Sequence, residues 1–135
     1  MNRMIFVNLP VQDLSASIAF YTALGFSNNA HFSDETAACM VWSSEIYVML
    51  LTHDKWRKFT KKPIAPGSTS EVMLALALDS TDAVNKMNAA AAGSGGTADV
   101  NPKQELGFMY SCSFADPDGH IWEPFWMDPA AIPQS

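Results

Sequence analysis

The chain is poor in the groups that most proteins use for metal, redox or phosphate chemistry. Among its 135 residues are two cysteines and three histidines. Cys39 and Cys112 each sit in a strand-like apolar stretch with no metal-type spacing between them, so they read as reduced core or cavity thiols of a cytoplasmic protein. Positive charge is scarce: eight Lys and Arg against fourteen Asp and Glu give a formal charge of −6, which argues against nucleic acid as a partner. No apolar run reaches the ~18–20 residues needed to span a bilayer. The start, Met1-Asn2-Arg3-Met4, lacks the apolar core of a signal peptide. There is no glycine-rich phosphate cradle and no strand–turn–helix nucleophile elbow, since Gly93-Ser94-Gly95-Gly96 follows a helix and stops it.

What is present is a soluble-globular composition, 48% apolar and 16% charged, and a pattern that occurs twice. Residues 4–11 alternate as a strand, with Ile5, Val7, Leu9 and Val11 on one face and Met4, Phe6, Asn8 and Pro10 on the other. Asp13 is a good N-cap for a helix whose stripe is Leu14, Ile18, Tyr21 and Leu24, and Gly25 supplies its stop. Strands are predicted at about 26–33, 36–43 and 46–52. A connector over 53–70 holds Lys55, Arg57, Lys58, Lys61 and Lys62, with Trp56 and Phe59 three apart on a short amphipathic helix. It reads either as a cationic flap over an anionic ligand or as a solvated linker, and charge runs usually face water.

At 71–79 the pattern restarts. Val72, Leu74, Leu76 and Leu78 share one face, and Glu71, Met73, Ala75 and Ala77 the other. Ser80 or Thr81 caps a second helix with the stripe Val84, Met87 and Ala91. Strands follow near 97–104, 108–115 and 121–126, and residues 127–135, with Pro129 and Pro133, read as a loose tail. An offset of 67 lays Phe6–Val11 on Met73–Leu78 and Asp13 on Ser80. This is an internal βαβββ duplication, and neither half alone covers its sheet.

The most informative stretch is Phe114-Ala115-Asp116-Pro117-Asp118-Gly119-His120-Ile121-Trp122-Glu123. Asp-Pro-Asp-Gly is turn chemistry, and the apolar flanks make it a hairpin. Glu123 then falls in an apolar strand, where a carboxylate needs a partner or a ligand unless its face is wet. Together with Val11–Phe26, this stretch resembles the vicinal-oxygen-chelate superfamily, which includes glyoxalase I, bleomycin-resistance proteins, fosfomycin-resistance enzymes and extradiol dioxygenases. The resemblance covers about residues 4–126. It implies an α+β fold of one glyoxalase/bleomycin-resistance-like domain. Two tandem βαβββ modules, about 3–52 and 71–126, would form one curved, mostly antiparallel sheet around a concave cavity. It also implies a homodimer that covers open sheet edges.

In that family four inward side chains bind a divalent metal. Their positions fall here on Phe6, Val48 (with Leu50 along the same strand), Met73 and Glu123. Only the last is a hard donor, so the resemblance implies the fold without its usual metal. An alternative oxygen site of Asn8, Glu71 and Glu123 stays open. His31, His53 and His120 lie off the ligand positions. The expected ligand-binding residues are Phe6, Asn8, Val48, Leu50, Met73, Tyr110 and Glu123, with Phe125 or Trp126 at the rim according to register. A filled interior without function is the competing reading of these apolar residues. An apolar lining with one acid suits a small apolar, aromatic or cationic molecule. Three functions follow. They are a binding or sequestration protein, a glyoxalase-like lyase or isomerase, and a metal-free enzyme with Glu123 as catalytic acid or base.

Overall fold

The computed structural model describes residues 3–131. Its order is β1 (Ile5–Val11), α1 (Leu14–Ala23), β2 (Ser27–Asn29), β3 (Ala37–Val41), β4 (Ile46–Thr52), α2 (His53–Trp56), β5 (Met73–Ala77) and α3 (Thr81–Gly93). Then come β6 (Thr97–Ala98), β7 (Gln104–Glu105), β8 (Met109–Ser111), β9 (Phe114–Ala115) and β10 (Ile121–Met127). The fold class is mixed α+β, as the duplicated pattern predicts. The chain divides into two compact units, Met1–Thr69 and Ser70–Ser135. The strands are hydrogen-bonded into two sheets, one in each unit, where the sequence led us to expect one.

In the first unit the sheet order is β1-β4-β3-β2, with β1 and β4 parallel and the other pairs antiparallel. Helix α1 starts where Asp13 accepts a hydrogen bond from the Ala16 N–H at 3.0 Å. It ends because Gly25 takes a φ of +109°, open to a residue without Cβ. The Gly25 N–H then reaches the Thr22 carbonyl and the Phe26 N–H the Tyr21 carbonyl, closing the last turn. The Phe26 ring packs edge-on against Tyr21 at 5.3 Å, the apolar contact such a stop favours. One sheet face forms the core: Leu9, Val11, Ala38, Met40, Val48 and Leu50 are buried with Phe20 and Tyr21 of α1. The strand expected over 26–33 is short, because Asn29 caps a 3₁₀ turn at Ala30–Phe32 by accepting from the His31 N–H. Polar-turn chemistry there wins over alternation.

The second unit repeats the plan. Ser80 caps α3 through the Ala83 N–H at 3.1 Å. Gly95, at a φ of +100°, lets the Gly96 N–H return to the Ala91 carbonyl. In its sheet β10 is central, parallel to β5 and antiparallel to β8 and β9. The strand expected at 97–104 is two short pieces, β6 and β7, and the one at 108–115 divides into β8 and β9. Val84, Met87 and Ala91 of α3 bury with Leu76, Phe114 and Trp122. The expected loose tail is ordered at its start, with Met127 in β10 and a 3₁₀ turn over Pro129–Ala131. Its last residues, 132–135, lie outside the described residues. No helix among the described residues is long and apolar enough to cross a membrane.

Candidate functional site

The hairpin that delivers Glu123 is built by Asp116. Its carboxylate, in a residue 3% exposed, accepts from the backbone N–H of Asp118 and of His120, each at 2.9 Å. The Gly119 N–H closes the turn on the Asp116 carbonyl at 3.0 Å, with Gly119 at a φ of +92°. Pro117 at the second position and glycine at the fourth are what such a turn demands. The hairpin sets the register of β10, and the register sets which side chains share the face of Glu123.

That face is the one turned away from α3. Met73 pairs with Ile121, Ala75 with Glu123 and Ala77 with Phe125. Ser111 lies opposite Phe125, and Met109 opposite Met127. Glu123 is half-buried, and beside it Ala75 contributes only a methyl group. No hydrogen bond or ion pair engages the Glu123 carboxylate among the described residues. Met73, 55% exposed, Met109 and Met127 give the face three flexible thioether side chains. The sheet thus brings together Met73, Phe125 and Glu123 as expected, and adds Ile121, Met109 and Met127.

Tyr110 does not join them. Its hydroxyl donates to Asn85 Oδ1 of α3 at 2.6 Å, and the Cys112 thiol lies 3.6 Å from that hydroxyl, so this cluster is on the helix side. Trp126 pairs with Tyr110 and shares that side, which leaves Phe125 as the aromatic residue beside the carboxylate. A hydrogen bond with the Cys112 thiol and partial burial hold the Tyr110 hydroxyl above its ordinary range.

The first unit has a corresponding face. Phe6 pairs with Tyr47, Asn8 with Met49 and Pro10 with Leu51, while Cys39 lies opposite Met49. The Phe6 and Tyr47 rings stack at 4.4 Å and 8°. Phe6 and Asn8 do share this face. Val48 and Leu50 do not: they point to the opposite side and are 1% and 0% exposed, in the core with α1. The expected ligand pair on β4 is therefore one residue out of step. Phe6 opposite Tyr47 corresponds to Met73 opposite Ile121, so the counterpart of Glu123 is Met49. The signal that finds it is strand pairing; a match of four turn residues fixes parity too weakly. Cys39 and Cys112 are both buried free thiols, and burial pushes the Cys39 thiol up.

A divalent metal does not fit the corrected donor set. Within the first unit Phe6 and Met49 offer no hard donor, and within the second Glu123 stands with Met73 as one carboxylate where several oxygen or imidazole groups are required. Among the described residues no three His, Cys, Asp or Glu side chains group to hold a metal ion. Glu71, which the sequence offered for an alternative site, is exposed and precedes β5. His120 uses its backbone N–H in the Asp116 turn, His31 lies in the 3₁₀ turn, and His53 opens α2.

Comparison with known proteins agrees with this architecture. Residues 3–43 match the family model described as bleomycin resistance protein-like N-terminal. A hypothetical protein from S. aureus is 25% identical, with a TM-score of 0.77, covering 93% of this chain and 95% of its own. A glyoxalase/bleomycin resistance protein/dioxygenase family enzyme from Burkholderia phytofirmans is 18% identical with a TM-score of 0.74, covering 90% and 96%. A fosfomycin resistance protein from Listeria monocytogenes is 14% identical with a TM-score of 0.69, covering 100% and 96%. No curated protein matches the chain.

Proposed function

We propose that this chain, whose residues 3–43 match a bleomycin-resistance-like model and whose fold is shared with glyoxalase/bleomycin-resistance structures, is a vicinal-oxygen-chelate protein that binds or sequesters a small molecule without a divalent metal. The observation that carries this reading is the Glu123 carboxylate, half-buried in an apolar strand with no protein partner among the described residues. A carboxylate so placed gains most from a ligand that brings a positive charge or a donor to it. Around it, Phe125, Ile121 and the methionines 73, 109 and 127 offer an adaptable apolar surface with an aromatic ring. The matching ligand is a compact aromatic or apolar cation. A metal-dependent lyase reaction would need a set of hard donors for its ion, and none groups among the described residues.

Tetraphenylphosphonium, an aromatic cation, serves as the probe. Calorimetric titration of chelator-treated protein is expected to show binding, weakened about tenfold in Glu123→Gln, which corresponds to ~1.4 kcal/mol. Failure of the chelator-treated protein to bind, or equal affinity in the variant, overturns the proposal.

A further inference from the structure

Five of the chain's eight basic residues, Lys55, Arg57, Lys58, Lys61 and Lys62, fall in one eight-residue segment that contains no acid. The segment begins in α2, and helical turns run on past that element. The N–H groups of Arg57, Lys58 and Phe59 donate to the carbonyls of His53, Lys55 and Trp56 at 3.0, 3.1 and 2.9 Å. On such a coil, residues three and four apart share a side. Lys55, Lys58 and Phe59 therefore stand together, with Lys55 Nζ 5.6 Å from the centre of the Phe59 ring. Trp56 and Thr60 make the other side. Both are half-buried, the indole N–H of Trp56 is sealed from solvent, and α2 packs against β4 and β1. Lys61 and Lys62, both exposed, carry the strap on from the end of the coil.

Phe59 is 67% exposed, so its ring has no seat in this chain's own core. Arg57 meets Asp54 at 3.3 Å with both side chains well exposed, a contact of little energetic weight. Lys58, Lys61 and Lys62 make no ion pair among the described residues. One side of the coil is thus pinned to the sheet, and the other offers cations around an uncovered aromatic ring. Such a side asks of its partner both negative charge and an apolar layer.

We propose that the strap Lys55–Lys62 docks on the surface of an anionic lipid bilayer, with its lysines among the headgroups and the Phe59 ring at the base of the headgroup layer. Charge complementarity calls for an anionic partner, and the residue types favour the bilayer among anions. Four of the five cations are lysines, point charges suited to a diffuse field of headgroups. Bidentate recognition of a single phosphate is the geometry of arginine, and Arg57 is turned to Asp54. No Asn or Gln stands in the segment to read a base edge, and Trp56, held against the sheet, is not free to stack on one. A bilayer interface takes cations and an apolar ring side by side. With a formal charge of −6 the chain as a whole is repelled by such a surface, so attachment is confined to the strap and is reversible and salt-sensitive.

Vesicle co-sedimentation is the test. Wild-type protein is expected to bind vesicles of about one-third phosphatidylserine in phosphatidylcholine, and not vesicles of phosphatidylcholine alone. Raising salt from about 50 mM to about 500 mM should lower the partitioning about tenfold or more as screening shortens. Each lysine near an anionic surface contributes about a fivefold gain, so Lys58→Gln/Lys61→Gln/Lys62→Gln should lose about a hundredfold. Phe59→Ala, with every charge kept, should bind about three- to tenfold more weakly. All four positions are exposed, and circular dichroism confirms the fold of each variant before sedimentation. A wild type that stays in the supernatant, equal binding to both kinds of vesicle, or a lysine variant that binds like wild type overturns the proposal. Unchanged binding of Phe59→Ala overturns it too, because a purely ionic contact needs no bilayer. Tighter binding to polyuridylate RNA than to the anionic vesicles at the same salt overturns it in favour of nucleic acid.

Discussion

Replacing Asp116 by Ala removes a carboxylate that accepts from two backbone N–H groups, those of Asp118 and His120, each at 2.9 Å. Hydrogen bonds to a charged acceptor each contribute ~1.5–3 kcal/mol net. Asp118 and His120 are half-buried rather than sealed, so water recovers part of the loss, and we expect a cost of about 2–4 kcal/mol. Asp116→Asn keeps one carbonyl acceptor without the charge, and neutral bonds are about half as strong. Its cost should fall between those of wild type and Ala. Urea unfolding followed by circular dichroism measures both, and a fall in midpoint at constant slope identifies a stability change. The variant should also loosen the register of β10, since this hairpin sets which face Glu123 occupies. An Ala variant within about 0.5 kcal/mol of wild type would refute the assignment of the turn to Asp116.

The corrected parity of β4 separates two adjacent residues. Leu50→Ala, at a site 0% exposed, should cost about 2–5 kcal/mol of stability. Met49→Ala, on the half-buried opposite face, should cost clearly less in the same urea titration; reversed costs would restore the original parity. High pH offers a third test. The Cys39 thiol is raised from its ordinary 9.0 by burial, so the folded state holds its proton where the unfolded chain has lost it. This contribution is present below pH 9 and is lost as pH rises above it. Tyr110, raised from 10.0 chiefly by its hydrogen bond with Cys112, acts in the same direction. Cys39→Ala should therefore flatten the decline in urea midpoint between pH 9 and 10.5, and an unchanged slope would contradict it.

Helix ends and turns were legible in the sequence because each depends on a few contiguous residues. Asp13, Ser80, Gly25 and the Asp116–Gly119 turn all do what their residue types demand. Alternation also placed Phe6 with Asn8 and Met73 on the face of Glu123. The faces of Val48, Leu50 and Tyr110 could not be read this way. Strand β4 reads as the unbroken apolar run Ile46–Leu51, in which neither parity is marked by a polar residue. Only its pairing with β1 and β3 shows that Val48 and Leu50 point to the core. Alternation misplaces Tyr110 because its hydroxyl finds Asn85 on α3, a tertiary bond between residues 25 apart in sequence. Strand lengths failed where short polar turns such as Asn29–Ser33 end pairing early.

Metal content tests the central claim most directly. Purified protein incubated with excess Zn or Ni, dialysed and analysed by elemental mass spectrometry should hold well under one ion per chain. Its thermal midpoint should be unmoved, because only a form that binds is stabilised by mass action. With Phe6, Met49 and Met73 offering no hard donor, Glu123→Gln should leave that metal content unchanged. One ion per chain, lost when Glu123 becomes Gln, would contradict the account and place a metal at the carboxylate we assign to a ligand.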